Sequence, residues 1–197
     1  VFVIKHEMLG SELSQDCSEN LLPNIIVYDV NPPVVHRGGL PAGILQNLLY
    51  MLNAIKVGLK IIKKEQVDII HSNNYSPVFA GWILSKLTGV PLLVTIHDVA
   101  SINGYRFWRE WMKQFGMFSK IKAFIGYASE LLTIKLSKNI HTVSETSKND
   151  ILSLKSKSNV FIIHNGLDIE YYKIDPSYDI VYDNIILFIG RLVYYKH

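Results

Sequence analysis

The chain has 197 residues, 49 % of them hydrophobic and 19 % charged, so a sizeable core can form and global disorder is excluded. A net charge of +3 is too small to point to nucleic acid, and a single cysteine, Cys17, excludes an internal disulfide. No apolar stretch approaches the ~18 residues of a bilayer-spanning helix, and no charged segment followed by a long apolar one marks a signal peptide.

In chain order, Val1–Ile4 and Ile25–Val30 are short β-branched runs that read as strands, and Val1 opening directly on a strand suggests an N-terminus cut from something longer. Asn31-Pro-Pro breaks the pattern, and His36-Arg-Gly-Gly-Leu-Pro41 is turn-rich. Ala42–Glu65 reads as a helix, because Leu45, Leu48, Leu52, Ile55, Leu59 and Ile62 recur at spacings of three and four on one stripe. Lys60, Lys63 and Lys64 crowd its last turns, where the helix dipole favours cations.

Val67–His71 is the next strand, and Ser76-Pro77 suits the N-cap and first turn of a helix that Gly89 ends. Pro91–Ile96 follows as a buried strand ending at His97-Asp98, and Tyr105–Leu136 is an aromatic, basic helical region. Asn139–Val143 is a strand, Ser144 caps a short helix, and Val160–Ile163 is a strand that leads into His164-Asn-Gly166. Ile185–Ile189 reads as a last strand. Strands alternating with helices predict an α/β fold, a Rossmann-like parallel sheet with helices on both faces.

The loop after Ile185–Ile189 has the chemistry of an anion site. Gly190 lets backbone approach an anion closely, while Arg191 and Lys196 supply charged donors suited to phosphate. Ligands of open α/β sheets sit beyond the C-terminal ends of strands. The plain alternative is a surface Arg and Lys after an ordinary strand.

Four fragments stand in order: Asp68-Ile-Ile-His71; Thr95-Ile-His-Asp98; Val143-Ser-Glu-Thr-Ser-Lys-Asn-Asp150; and Ile163-His-Asn-Gly-Leu-Asp168, followed by Leu187-Phe-Ile-Gly-Arg-Leu192. Together they resemble the N-terminal half of a family 4 retaining glycosyltransferase of the GT-B fold, in which two Rossmann-like domains face each other across a cleft. The resemblance implies that residues 1–183 form the acceptor-side domain, lacking its first strand, and that 184–197 open the domain that binds the nucleotide-sugar donor. It also implies a cytoplasmic enzyme that moves a hexose-type unit without metal or cofactor, the nucleotide-diphosphate sugar being a substrate.

Residue by residue, the resemblance makes Gly190, Arg191 and Lys196 the donor-diphosphate site, where fixed cations stabilise the charge gained by the leaving group. It makes His97 the residue facing the transferred sugar, since an imidazole can exchange a hydrogen bond with a sugar hydroxyl near neutral pH. A lone histidine at a strand end is otherwise a structural residue. Asp98 caps the next segment or orients His97, capping being the simpler role. His71, Asn73 and Asn74 belong to the acceptor-side cleft rim, although His71 can equally serve neighbouring backbone. Asn165 and Gly166 read as a hinge-like turn at the interdomain crossover, where glycine permits unusual backbone angles.

Arg106, Arg109 and Lys113 share one stripe of the Tyr105–Lys122 region, and Trp108, Trp111 and Phe115 another. Such a helix lies in a membrane interface or packs its aromatic face on the sheet. The implied partners are thus a nucleotide sugar, a glycan or lipid-linked acceptor, and peripheral contact at the inner face of a membrane, with no nucleic acid. The family's glycine-rich first loop and its acidic donor motif would lie outside Val1–His197, so this piece alone is expected to be inactive. Two rival functions stay open: a GT-B-fold sugar-nucleotide epimerase and a non-catalytic GT-B-like interaction domain. No G-x-G-x-x-G follows a strand, which disfavours a dinucleotide oxidoreductase.

Overall fold

A computed structural model describes residues 1–9, 24–35, 43–113, 116–155 and 157–166. Six strands and five α-helices alternate: β1 (Phe2–Leu9), β2 (Ile26–Val35), α1 (Ile44–Lys64), β3 (Ile70–Asn73), α2 (Tyr75–Thr88), β4 (Leu92–Thr95), α3 (Tyr105–Met112), α4 (Ser119–Leu136), β5 (Asn139–Thr142), α5 (Glu145–Leu154) and β6 (Asn159–Ile162). A short 3₁₀ turn, Ala100–Asn103, lies between β4 and α3. All strand pairs are parallel, with β1–β2 forming one sheet and β3-β4-β5-β6 another. The expected parallel α/β class is therefore the fold observed.

Strand alternation divides the four-stranded sheet into two unlike faces. Val94 and Ile140 lie on the core face, where Val78 of α2, Ile134 of α4 and Ile151 of α5 pack with them, all essentially buried. His71, Asn73, Thr95, His141 and Phe161 alternate onto the other face, where Asn73 and Phe161 are exposed. The core is built by β-branched residues on strands and helices alike, which suits closely packed layers.

Glycines set the closest approaches. A Cβ on Gly58 of α1 would come within 2.6 Å of Leu84 on α2. One on Gly81 of α2 would run into the Ser72 hydroxyl of β3, and one on Gly126 of α4 into the Trp108 ring. Side chains at these positions would push the layers apart, so helix–helix and helix–strand spacing depends on them.

Three expectations need correction. The leucine stripe of α1 faces the core only in part: Leu45, Leu48 and Leu52 are exposed and Ile55 packs against the core, while Tyr50, Ala54, Gly58 and Ile61 are the buried residues. The small residues Ala54 and Gly58 let α2 approach closely, which the larger leucines would prevent. Asn31-Pro-Pro does not end its strand, because β2 continues to Val35. The β1–β2 ladder shifts register there, between His6/Val30 and Met8/Val34, which accommodates prolines that have no N–H to donate. Finally, Tyr105–Leu136 is two helices, separated by a turn in which Gly116 (φ 76°) and Phe118 (φ 69°) are left-handed.

Between β1 and β3 lies a cavity of about 460 Å³, lined by Phe2, Ile4, Tyr50, Ile70, Leu84 and others. The two sheets are not hydrogen-bonded to each other across it. It is mainly apolar and lies between strand edges, with His71 and Ser72 of β3 also in its wall.

Candidate functional site

The C-terminal ends of β3 to β6 are tied side by side. Asn74 N–H donates to Thr95 O (3.1 Å), Ile96 N–H to His141 O (2.9 Å), and Ile163 N–H to Thr142 O (3.0 Å). The loops leaving these strands are Asn74-Tyr75, His97-Asp98, Val143-Ser144 and His164-Asn165-Gly166, so the parallel topology gathers them at one end of the sheet. That end holds His97, Asp98, Asn73, Asn74, Asn165 and Gly166 of the expected site. Gly190, Arg191 and Lys196 lie outside the described residues, as does the expected strand at Ile185–Ile189.

His97 is half-buried. Its carbonyl oxygen accepts from the Ser147 hydroxyl at 2.8 Å, and no hydrogen bond to its imidazole is formed among the described residues. Ser147 belongs to α5, whose N-cap is Ser144 as expected: the Ser144 hydroxyl oxygen accepts from Ser147 N–H at 3.1 Å. The helix start thus holds the His97 backbone and leaves the ring available.

Asn74 and Tyr75 have φ of 45° and 29°, a region that non-glycine residues avoid. Such strain persists where surrounding structure over-determines it, often at functional sites. The helix α2 starts two residues earlier than Ser76-Pro77 suggests, with Asn74 at its N-cap and no side-chain cap bond. Ser76 Oγ instead donates to Asn47 Oδ1 of α1 at 3.1 Å.

Asp98 is exposed and does not cap the turn that follows. Val99 holds the N-cap position there, and the free N–H groups go to Glu130 of α4. Its Oε1 accepts from Ala100 N–H (2.9 Å), and its Oε2 from Ser101 N–H (2.7 Å), the Ser101 hydroxyl and Trp108 Nε1 (3.1 Å). Glu130 is 2 % exposed. Burial, then the neighbouring Glu130 and Asp98 carboxylates, push the Tyr75 hydroxyl well above its ordinary value, so it stays protonated beside Glu130.

Among the described residues the His71 ring pairs with a side chain and not with neighbouring backbone. It joins a chain of hydrogen bonds across three strands: His71 Nε2 to Thr95 Oγ1 (2.6 Å), Thr95 Oγ1 to His141 Nδ1 (3.0 Å), and His141 Nε2 to Ile163 O (3.0 Å). A carbonyl oxygen only accepts, so His141 Nε2 carries a proton. Its neutral ring then accepts at Nδ1 from the Thr95 hydroxyl, which in turn accepts from His71 Nε2–H. Burial, then the proximity of His141, holds the His71 imidazole below its ordinary value.

Gly166 is exposed, lacks a left-handed φ, and a Cβ there would meet nothing within 4 Å. No unusual backbone angle requires glycine at this turn. Asn165 is likewise exposed, directly beyond β6.

The aromatic face of α3 is turned inward, but it packs on α4 and not, as the packing alternative predicts, on the sheet. Trp108 and Met112 are buried with Ala123 of α4, and Phe107, Trp111 and Tyr127 pack against them. The exposed apolar residues of this region are Met117, Phe118, Ile121, Phe124 and Ile125. No helix among the described residues is long and apolar enough to cross a membrane.

Residues 16–171 match Glycosyltransferase Family 4. The chain belongs to that family. It is 27 % identical over 178 residues to an uncharacterised glycosyltransferase of Methanocaldococcus jannaschii, covering 89 % of this chain and 41 % of that protein. A glycosyltransferase of solved structure from Rickettsia africae aligns with a TM-score of 0.49 and 18 % identity, over 89 % of this chain and 38 % of that one. The chain thus spans about two fifths of the relative from Methanocaldococcus jannaschii.

Proposed function

We propose that this glycosyltransferase chain is the acceptor-side half of a retaining enzyme that moves a hexose unit from a nucleotide-diphosphate sugar to a glycan or lipid-linked acceptor. Residues 1–183 form this half, and 184–197 open the donor domain. The observation that carries the reading is His97: an imidazole without a hydrogen-bond partner among the described residues, on a backbone held from α5, at the strand end where α/β sheets take ligands. The cavity between the β1 and β3 edges supports a further strand seated there, consistent with a domain that lacks its first strand.

In this reading His97 faces the transferred sugar and exchanges a hydrogen bond with a hydroxyl as the glycosidic bond breaks. Arg191 and Lys196 bind the diphosphate in the place a metal would otherwise take, and stabilise its growing charge. Asn73 and Asn74, beside His97, offer amides that suit acceptor hydroxyls. The test is to incubate the full-length protein, with and without chelator, with nucleotide-diphosphate sugars and candidate acceptors. Transfer with retained anomeric configuration and no metal requirement is expected. Interconversion of the sugar nucleotide without acceptor would favour an epimerase, and failure to bind any donor would favour an interaction domain.

A lipid-linked acceptor gains support from the start of α4. Met117, Phe118, Ile121 and Phe124 are exposed by 57–80 %, beside the exposed Lys120. An apolar surface edged with a cation fits the interface of an anionic bilayer at the cytoplasmic face. Flotation with anionic vesicles, reduced by Phe118→Ser with Phe124→Ser, checks it.

A further inference from the structure

We propose that Glu130 is a positioning residue of the site, fixing the backbone that follows His97 and thereby the placement of the His97 ring. The argument begins with an oddity. Glu130 is 2 % exposed, yet none of the ion pairs among the described residues includes it. Removing a carboxylate from water is costly, and a well-packed apolar side chain commonly serves better where only packing is needed. Among the described residues the carboxylate is held by neutral donors: Ala100 N–H, Ser101 N–H and hydroxyl, and Trp108 Nε1–H.

Two of those donors are adjacent peptide groups three and four residues beyond His97. They open the turn Ala100–Asn103, for which no side chain of its own segment provides a cap. The two carboxylate oxygens divide these donors between them, Oε1 taking Ala100 N–H and Oε2 taking Ser101 N–H. Ser147 holds the His97 carbonyl from the other side. The short loop carrying His97 is therefore fixed at both ends by side chains from different helices. Through Trp108, whose ring meets the Tyr75 ring edge-on at 5.9 Å, the same carboxylate also reaches the strained turn behind Asn73 and Asn74. One buried group thus ties together the loops after β3 and β4, which a site between them requires to be kept in register.

The catalytic meaning rests on the proposed role of His97, but the positioning itself can be tested without any sugar. Glu130→Gln retains shape and one carbonyl oxygen, while its NH₂ group faces donors and can accept from none of them. In native-state hydrogen exchange well below the melting temperature, whichever of the Ala100 and Ser101 amides then faces the NH₂ group should exchange about 10- to 100-fold faster, as expected for loss of a hydrogen bond to a carboxylate. The His97 ring Cε1–H resonance should move and broaden, while the core amides of Ile140 and Ile151 keep their rates. A purely structural Glu130 would instead speed all slowly exchanging amides by a common factor and leave the His97 resonance in place. That result would overturn the proposal. Should Glu130→Gln fail to fold, Ser101→Ala removes one donor only. It should give the same His97 change at smaller size, and an unmoved His97 signal there would also overturn it. Absence of sugar transfer in the full-length protein would leave these outcomes untouched.

Discussion

The Ser147 hydroxyl donates to the carbonyl oxygen of His97 at 2.8 Å, linking the first turn of α5 to the loop at the end of β4 across 50 residues of sequence. Ser147 is itself held by the N-cap Ser144, so one helix start both caps itself and anchors the candidate catalytic loop. Ser147→Ala should therefore cost about 1 kcal/mol, the usual worth of such a bond. Urea unfolding measures this as a lowered midpoint at constant slope. An unchanged midpoint would mean that water replaces the hydroxyl without loss.

Thr95 sits between two imidazoles, and its hydrogen bonds set their tautomers. Ring ¹⁵N spectra at neutral pH should show protons on Nε2 of both His71 and His141. Thr95→Val, which keeps shape and removes the hydroxyl, should abolish the preference at His71 while His141 keeps its bond to Ile163 O. A His71 tautomer unaffected by Thr95→Val would break this reading.

The depressed titration of His71 carries a stability consequence. Its folded value lies below the ordinary 6.5. Between those two values the unfolded chain binds more protons than the folded one, so stability rises with pH across that window and falls as pH drops through it. His141→Ala removes the second cause of the depression and should flatten the slope of unfolding free energy against pH. Chemical denaturation at several pH values below 6.5 checks it. An unchanged slope would leave burial as the only cause.

Local signals in the sequence were read correctly where one segment contains both partners. Ser144 caps α5, and Gly89, at φ 77°, ends α2. Placing His97 at the end of a strand likewise needed only the apolar run before it. Glu130, Thr95 and His141 escaped notice because their partners are 22 to 46 residues distant, and nothing in the spacing reveals them. Asp98 looked like a cap because it precedes a turn, but the cap comes from α4. The stripe on α1 held only in part, for a different reason. Periodicity finds an apolar face, whereas close packing selected the face carrying Ala54 and Gly58, which admits α2. The register shift that carries β2 past Pro32 and Pro33 is likewise visible only once its pairing with β1 is known.

The donor half of the proposal rests on Arg191 and Lys196. The leaving diphosphate gains charge in the transition state, and removing one preorganised donor to such charge typically costs ~10²–10³ in rate. Arg191→Ala or Lys196→Ala in the full-length enzyme should show a loss of that order in steady-state kinetics. Arg191→Lys should recover only part of it, since an ammonium cannot reproduce the bidentate fork. Tight nucleotide-sugar binding by residues 1–183 alone would place the donor site elsewhere.

The most direct test is the turnover of His97→Ala in the full-length protein, measured together with its affinity for the nucleotide-sugar donor. A residue facing the transferred sugar should lose about 10²–10⁴-fold in kcat, the range of general acid–base and hydrogen-bonding groups, while donor Kd changes little. Turnover at the unmodified level, with the variant folded, would contradict the assignment of His97 and with it the location of the site.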